Sequence, residues 1–364
     1  MTRRPAGRVG MRAALVVAVL VVGIVGATAA PASAHGLGGL KPTNYQTILQ
    51  SVTPQVAGVH VHITDLGTKV ELTNDGARDV VVLGYAGEPY LRVGPNGVFE
   101  NVRSPATYLN RSTTITSRPP KSADPKATPV WRRLSSDTTA RWHDHRAHFM
   151  GGSDPPTVAR DPGSRHVIDH FEIPMRVGGE TVNARGQIVY VPPPSPWPWV
   201  LGAVLIGALA FGLSRTRSWK AVFVVALALL TLAEIVHVFG LWDASTASFG
   251  TKLGESAYSL AGIALGLLAL GWIWRKGAES AVPIVLVAAI FLFVAGGLAD
   301  VTSLGNSQIP STLAPGFARL LVMLTLGLGA GLAVAAAFRL RPPSQARPPS
   351  RRPGPRRRPA PVTS

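Results

Sequence analysis

Val56-Ala57-Gly58-Val59-His60-Val61-His62-Ile63 places Val59, Val61 and Ile63 on one side of an extended chain, with His60 and His62 on the other. Side chains of a strand alternate between two faces. The stretch therefore predicts a strand with one buried face in a domain built of β-structure. Working outward, Val70 and Leu72 followed by Asn74-Asp75-Gly76 predict a second strand and its turn. Val80–Leu83 is a short buried run, and Gly94-Pro95-Asn96-Gly97 is a further turn. Phe171, Ile173, Met175 and Val177 alternate again, and Gly178-Gly179 turns the chain into 181–191 as a hairpin. No helical period runs between Thr68 and Val191. The expectation is an all-β antiparallel sandwich over residues 35–191. Residues 117–139, rich in Pro, Ser and Lys, are expected as a long loop.

The segment before this domain carries Arg3, Arg4, Arg8 and Arg12, then an apolar run from Ala13 to Val25, then Ala32-Ser33-Ala34. That is the pattern of a secretory signal peptide over residues 1–34, with His35 as the mature N-terminus. The β domain is thus expected outside the cytoplasm. The chain has no cysteine, so no disulfide holds the domain together and a hydrophobic core must.

Five apolar stretches follow a Pro-rich spacer at 192–197: 198–213, 221–242, 257–274, 281–299 and 316–338. Each approaches the roughly 20 residues that cross a hydrocarbon core. Arg215, Arg217 and Lys220 follow the first stretch, and Arg275 and Lys276 follow the third. Eight arginines lie between Arg339 and Arg358, while the opposite loops hold only Lys252. The positive-inside rule then predicts a multi-pass plasma-membrane protein with five transmembrane helices over 198–338 and a cytoplasmic C-terminus. Its tail, 339–364, is expected to be disordered because prolines interrupt it throughout. The net charge of +17 is concentrated in the signal, cytoplasmic loops and tail. Residues 35–196 hold 17 cations and 14 acids, a balance of +3. The charge therefore points to the lipid bilayer as a partner, and nucleic acid is not expected as one.

Eight of the nine histidines fall between His35 and His170. Imidazole is the commonest metal ligand, and nitrogen-rich sites favour copper(II), then zinc. His60 and His62 start about 6.6 Å apart on one strand face, so they either share an ion or are ordinary surface histidines. His143, His145 and His148 lie in Trp142-His143-Asp144-His145-Arg146-Ala147-His148-Phe149-Met150. Extended, the first two share a side; helical, His145 and His148 are neighbours. Asp144 would then ligate or orient an imidazole. The competing reading makes Trp142, Asp144 and Arg146 a hydrogen-bonded clamp, with the histidines filling polar positions. His35 adds its free amino group, which with its imidazole chelates Cu(II).

Glu234 and His237 lie one turn apart inside the second span, with Asp243 and Asp300 near its outer mouth. Intramembrane ionisable residues are costly and so are functional candidates. They continue a metal or proton path, or else lock helices together. Gly262-x-x-x-Gly266 and Gly327-x-x-x-Gly331 read as close helix contacts. No nucleophile elbow, phosphate loop or His-Glu-x-x-His motif occurs, so no enzyme is expected.

With Ala34-His35, the strand pattern and the helices on the page, the layout resembles bacterial periplasmic copper-resistance systems. There a small β-sandwich carrier with an N-terminal histidine accompanies a multi-span membrane partner. The whole chain also resembles a group of actinobacterial membrane proteins bearing the Trp-His-Asp-His-Arg segment, a likeness that implies no activity. The leading expectation is an exported domain that binds a divalent metal, Cu(II) before zinc, and buffers it or hands it to an envelope or metal-transfer protein or to its own spans. The alternatives are a non-metal interaction protein anchored by its helices, or an ion-coupled transporter.

Overall fold

The computed structural model describes residues 40–111 and 118–341. The expected signal peptide, His35 and the tail beyond Arg341 lie outside the described residues.

Ten strands build the N-terminal half: β1 (Tyr45–Thr53), β2 (Val59–Thr64), β3 (Lys69–Asn74), β4 (Val80–Leu83), β5 (Pro89–Gly94), β6 (Gly97–Asn101), β7 (Trp131–Ser135), β8 (Thr139–Trp142), β9 (His166–Val177) and β10 (Glu180–Tyr190). Seven form one antiparallel sheet in the order β1-β10-β9-β4-β5-β6-β7, and β2-β3-β8 form a second. Apolar residues of both sheets, among them Val61, Leu72, Val82, Val93, Ile173 and Met175, share one core. The sandwich is therefore antiparallel, as its alternation requires. Asn74 crosses between the sheets: its amide donates to the carbonyls of Arg78 and Val93, both at 2.8 Å.

The β9–β10 hairpin turns on Gly178 and Gly179, at φ +57° and +93°. Two successive positive φ values make the turn whose twist matches the flanking strands, and glycine adopts them without strain. The β5–β6 hairpin likewise closes with Gly94 paired to Gly97.

Three features depart from the sequence reading. Strand β1 has no expectation behind it. Residues 117–139 are not loop throughout, because Trp131–Ser135 pairs with β6 as the sheet's edge. The edge leaves Val130 and Leu134 about half exposed, a pattern that alternation does not register. Two short helices, α1 (Ala106–Leu109) and α2 (Pro156–Arg160), sit in connections too brief to show a period.

The C-terminal half is helical: α3 (Trp197–Ser214), α4 (Trp219–Ala244), α5 (Phe249–Glu255), α6 (Ala257–Lys276), α7 (Ala278–Leu292) and α8 (Pro315–Leu340). A π-helical segment, Phe293–Leu298, continues α7. Among the described residues, five helical stretches, counting α7 with its extension, are long and apolar enough to cross a membrane. Both glycine pairs make the close contacts their spacing implies. A Cβ on Gly327 would lie 2.7 Å from the Ala203 carbonyl oxygen, and one on Gly331 would lie 2.6 Å from that of Gly207. A Cβ on Gly266 would meet the Thr231 hydroxyl at 2.3 Å, and one on Gly262 the Leu292 side chain at 3.0 Å.

The two ends of the bundle differ in character. One end carries cations: Lys220 pairs with Glu279 at 2.9 Å, and Arg339 donates to the Ser214 carbonyl at 2.6 Å while its guanidinium lies over Trp219. The other end receives the β domain. Thr43 and Gln308 exchange backbone hydrogen bonds of 3.0 and 2.8 Å, and the Ser307 amide donates to the Asn44 side chain at 2.9 Å. Arg319, in the first turns of α8, was not singled out from sequence. It is buried and ties this end together by donating to the carbonyls of Ser303 and Asn306.

Candidate functional site

A left-handed turn between β2 and β3 organises the junction. Asp65 and Leu66 have φ of +51° and +55°, and Gly67 has +87°. Non-glycine residues adopt this region rarely and at a cost, which the surroundings must offset. Here they do so on three sides. The buried Asp65 carboxylate accepts from the Thr246 amide and hydroxyl at 2.8 Å each, and from Lys69 at 2.7 Å. A Cβ on Gly67 would collide with the Thr47 hydroxyl, which itself donates to the Ala147 carbonyl at 2.6 Å. The carbonyls of Gly67 and Thr68 face the histidine loop.

That loop begins where β8 ends. Trp142 is buried, pairs with Val70 and leaves His143 beside the turn. His143 Nδ1 lies 2.6 Å from the Thr68 carbonyl oxygen, and His148 engages the Gly67 carbonyl. A turn closed by the Ala147 amide donating to Asp144 brings His148 back onto His143. The loop is thus neither extended nor helical, and His143 becomes the hub. Its ring centre lies 5.0 Å from that of His145 and 5.3 Å from that of His148. His143 Nε2 is buried without a hydrogen-bond partner. Burial pulls both hub imidazoles toward the neutral form, His148 down to about 4, with the neighbouring rings adding to the effect.

Asp144 does not serve these imidazoles. Its carboxylate accepts from Trp142 Nε1 at 3.0 Å and from Arg146 Nε and Nη2 at 2.9 and 2.8 Å. Arg146 also donates to the Leu83 carbonyl and stacks on Tyr85, whose hydroxyl accepts from the His145 amide and bonds to Asn110. The Trp142–Asp144–Arg146 clamp therefore exists. The expectation that Asp144 ligates or orients an imidazole is corrected: bidentate pairing with arginine uses both oxygens.

His60 and His62 are brought elsewhere. Both are exposed on the open face of the three-stranded sheet, opposite Thr73 and Glu71 in the register. Glu71 is itself ion-paired to Arg141 on β8. Among the described residues, no three His, Asp or Glu side chains are arranged to hold one ion.

Glu234 and His237 do lie together, buried at zero and 4% exposure on α4. His237 Nε2 is 3.1 Å from Asp300, beyond the π-helical segment, so Asp300 is a partner and not merely a neighbour of the mouth. Glu234 has no close hydrogen-bond partner beyond the neighbouring Ser259 hydroxyl, and His237 Nδ1 has none. The carboxylate packs on Gly296, where a Cβ would come within 1.6 Å of Oε2.

Sequence reasoning passed over Asp65, Thr246 and Tyr85. The one legible signal was Asp65-Leu66-Gly67 after a strand, since Asp and Gly tolerate left-handed backbone. Comparison with family models, curated proteins and solved structures gives no match for this chain.

Proposed function

We propose that this is a plasma-membrane protein whose β domain lies outside the cytoplasm and takes up a divalent metal, Cu(II) before zinc, at His143, His145 and His148. The carrying observation is the packing of the His145 and His148 imidazoles around the hub His143, whose Nε2 is buried and unpaired. Two imidazoles on one ion, at about 2.0–2.1 Å each, have ring centres roughly 5 Å apart. The observed separations match that spacing. Neutral imidazole is the ligating form, and burial favours it at two of the three positions. His143 and His148 each keep one nitrogen on a backbone carbonyl, the usual way a ligand histidine is oriented. Uptake requires the rings to turn toward a common centre, with the clamp holding the loop ends fixed.

The orientation follows from charge. The cationic end of the bundle faces the cytoplasm, and the β domain sits at the other end. An ion held on this loop rests against the turn that Asp65 docks to Thr246, so binding and docking share a structural element. His60 and His62, and the terminal amine of His35 after signal removal, are the competing ligands.

Equilibrium dialysis of the full chain against Cu(II) and Zn(II) tests the proposal. Replacing His143, His145 and His148 together by alanine should abolish one equivalent of uptake, while replacing His60 and His62 should leave it. The reverse pattern moves the site to β2, and no uptake by the intact chain overturns metal binding.

A further inference from the structure

We infer that the membrane domain contains a proton-binding site at Glu234, exchanging with water at the β-domain end of the bundle through His237 and Asp300. The inference is independent of the imidazole cluster and rests on a different part of the molecule.

Thr231, Glu234 and His237 recur every third residue along α4, so each rises about 4.5 Å above the last on roughly one face. Every one of them is buried: Thr231 Oγ1 and His237 Nδ1 have no hydrogen-bond partner, and the Glu234 carboxyl has no close partner beyond the neighbouring Ser259 hydroxyl. Unsatisfied buried polar groups are rare because each forfeits its hydration, and a carboxylate forfeits most. Three in file on one helix mark a path and not a packing accident. The opposing surfaces are shaped to fit. Gly266 faces Thr231, and Gly296 faces Glu234 so closely that a Cβ there would displace the carboxyl. Gly296 lies in the π-helical segment, a feature common at functional sites. Its carbonyl accepts from Thr325 on α8.

Glu234 sits ten residues, about 15 Å, from the β-domain end of α4. Charged and titratable groups around it are few. His237 shares its helix, Asp300 faces it from beyond the π-helical segment, and α6 contributes only the Ser259 hydroxyl. No cation pairs with Glu234 among the described residues; Arg319 is committed to two backbone carbonyls. A carboxyl so placed satisfies its charge by carrying a proton.

The route outward is short. His237 holds Asp300 through Nε2 and leaves Nδ1 open, the arrangement of an imidazole that accepts on one nitrogen and releases on the other. Beside this pair is a cavity of about 10 Å³ where His237, Asp300, Ser303 and Ser311 meet apolar residues such as Leu241 and Val322, room for about one water. Transfer occurs once the Glu234 side chain turns into hydrogen-bond reach of His237 Nδ1: the Nδ1–H bond of the imidazolium breaks as an O–H bond forms at the Glu234 carboxylate. Asp300 balances the imidazolium charge beforehand, and water at the cavity restores the proton to His237.

Infrared spectroscopy of the full-length protein in liposomes tests this. Near neutral pH the protein should show the carbonyl stretch of a protonated carboxylic acid. The band should shift when glutamate is carbon-13 labelled, and it should vanish in E234Q. The labelling arm needs no variant, so it decides the point even if E234Q does not fold. Deuterium from the medium should exchange into that band, and H237F should slow the exchange at least about tenfold. Absence of the band, or a band indifferent to glutamate labelling, overturns the site. Exchange at the wild-type rate in H237F overturns the route.

Discussion

The Asp65 carboxylate accepts two hydrogen bonds from Thr246, one from its amide and one from its hydroxyl, both 2.8 Å long. The two residues are 181 positions apart and belong to different halves of the chain. Asp65 is also the first residue of the left-handed turn whose next carbonyls hold His148 and His143. One buried carboxylate thus fixes both the docking of the β domain and the floor of the histidine loop.

Replacing Asp65 by alanine should therefore loosen both. Two hydrogen bonds to a charged acceptor and the Lys69 pair are lost, at a cost of about 2–4 kcal/mol in unfolding free energy. Amide exchange at Thr246 should rise sharply in the variant. Unaltered protection there would mean that the domains are held by the Thr43–Gln308 contact instead.

Acid should weaken the metal-free protein through His148. Its imidazole titrates at about 4 in the folded chain against an ordinary 6.5, chiefly because it is buried. Between those values the unfolded chain binds a proton that the folded chain refuses, so stability rises with pH across the window and is lost as pH falls. The full effect is up to about 3 kcal/mol. Denaturant titrations at several pH values should show the slope, and His148→Asn should flatten it.

The clamp makes a separate prediction. Asp144 is 1% exposed and pairs with Arg146, so Asp144→Asn leaves a partly buried guanidinium without its counter-charge. The expected loss is about 3–5 kcal/mol. Arg146→Lys should also destabilise, because an ammonium cannot span both oxygens. Chemical unfolding measures both; a neutral effect of Asp144→Asn would show that the pair adds nothing.

Gly296→Ala should lower the folded yield, since its Cβ would displace the buried Glu234 carboxyl. Combined with Glu234→Ala it should recover folded yield. That non-additivity is the signature of direct contact, and size-exclusion profiles in detergent read it.

The parts of the fold legible in sequence are those governed by local pattern. Hydropathy placed all five membrane-length helices to within a few residues, because a hydrocarbon solvent leaves little freedom in length. Gly178-Gly179 announced its hairpin for the same reason: few residues tolerate that turn. Strand β1 stayed hidden because Tyr45–Thr53 lacks a clear apolar alternation, and β7 because an edge strand has one partner and an open side. In the candidate site, spacing raised His143, His145 and His148 as one group, and their rings do pack together. It left Asp144 open between an imidazole partner and the Trp142–Asp144–Arg146 clamp, a choice that rests on which donors reach its carboxylate. It was silent on Asp65 and Thr246, whose pairing is purely tertiary.

The most direct measurement is the electron paramagnetic resonance spectrum of the full-length protein loaded with one equivalent of Cu(II). Imidazole coordination by the loop should give nitrogen hyperfine structure from at least two ligands. That structure should disappear when His143, His145 and His148 are replaced by alanine, and persist when His60 and His62 are replaced. A spectrum of free copper with the intact protein, or one unaltered by the triple replacement, would contradict metal uptake at this loop.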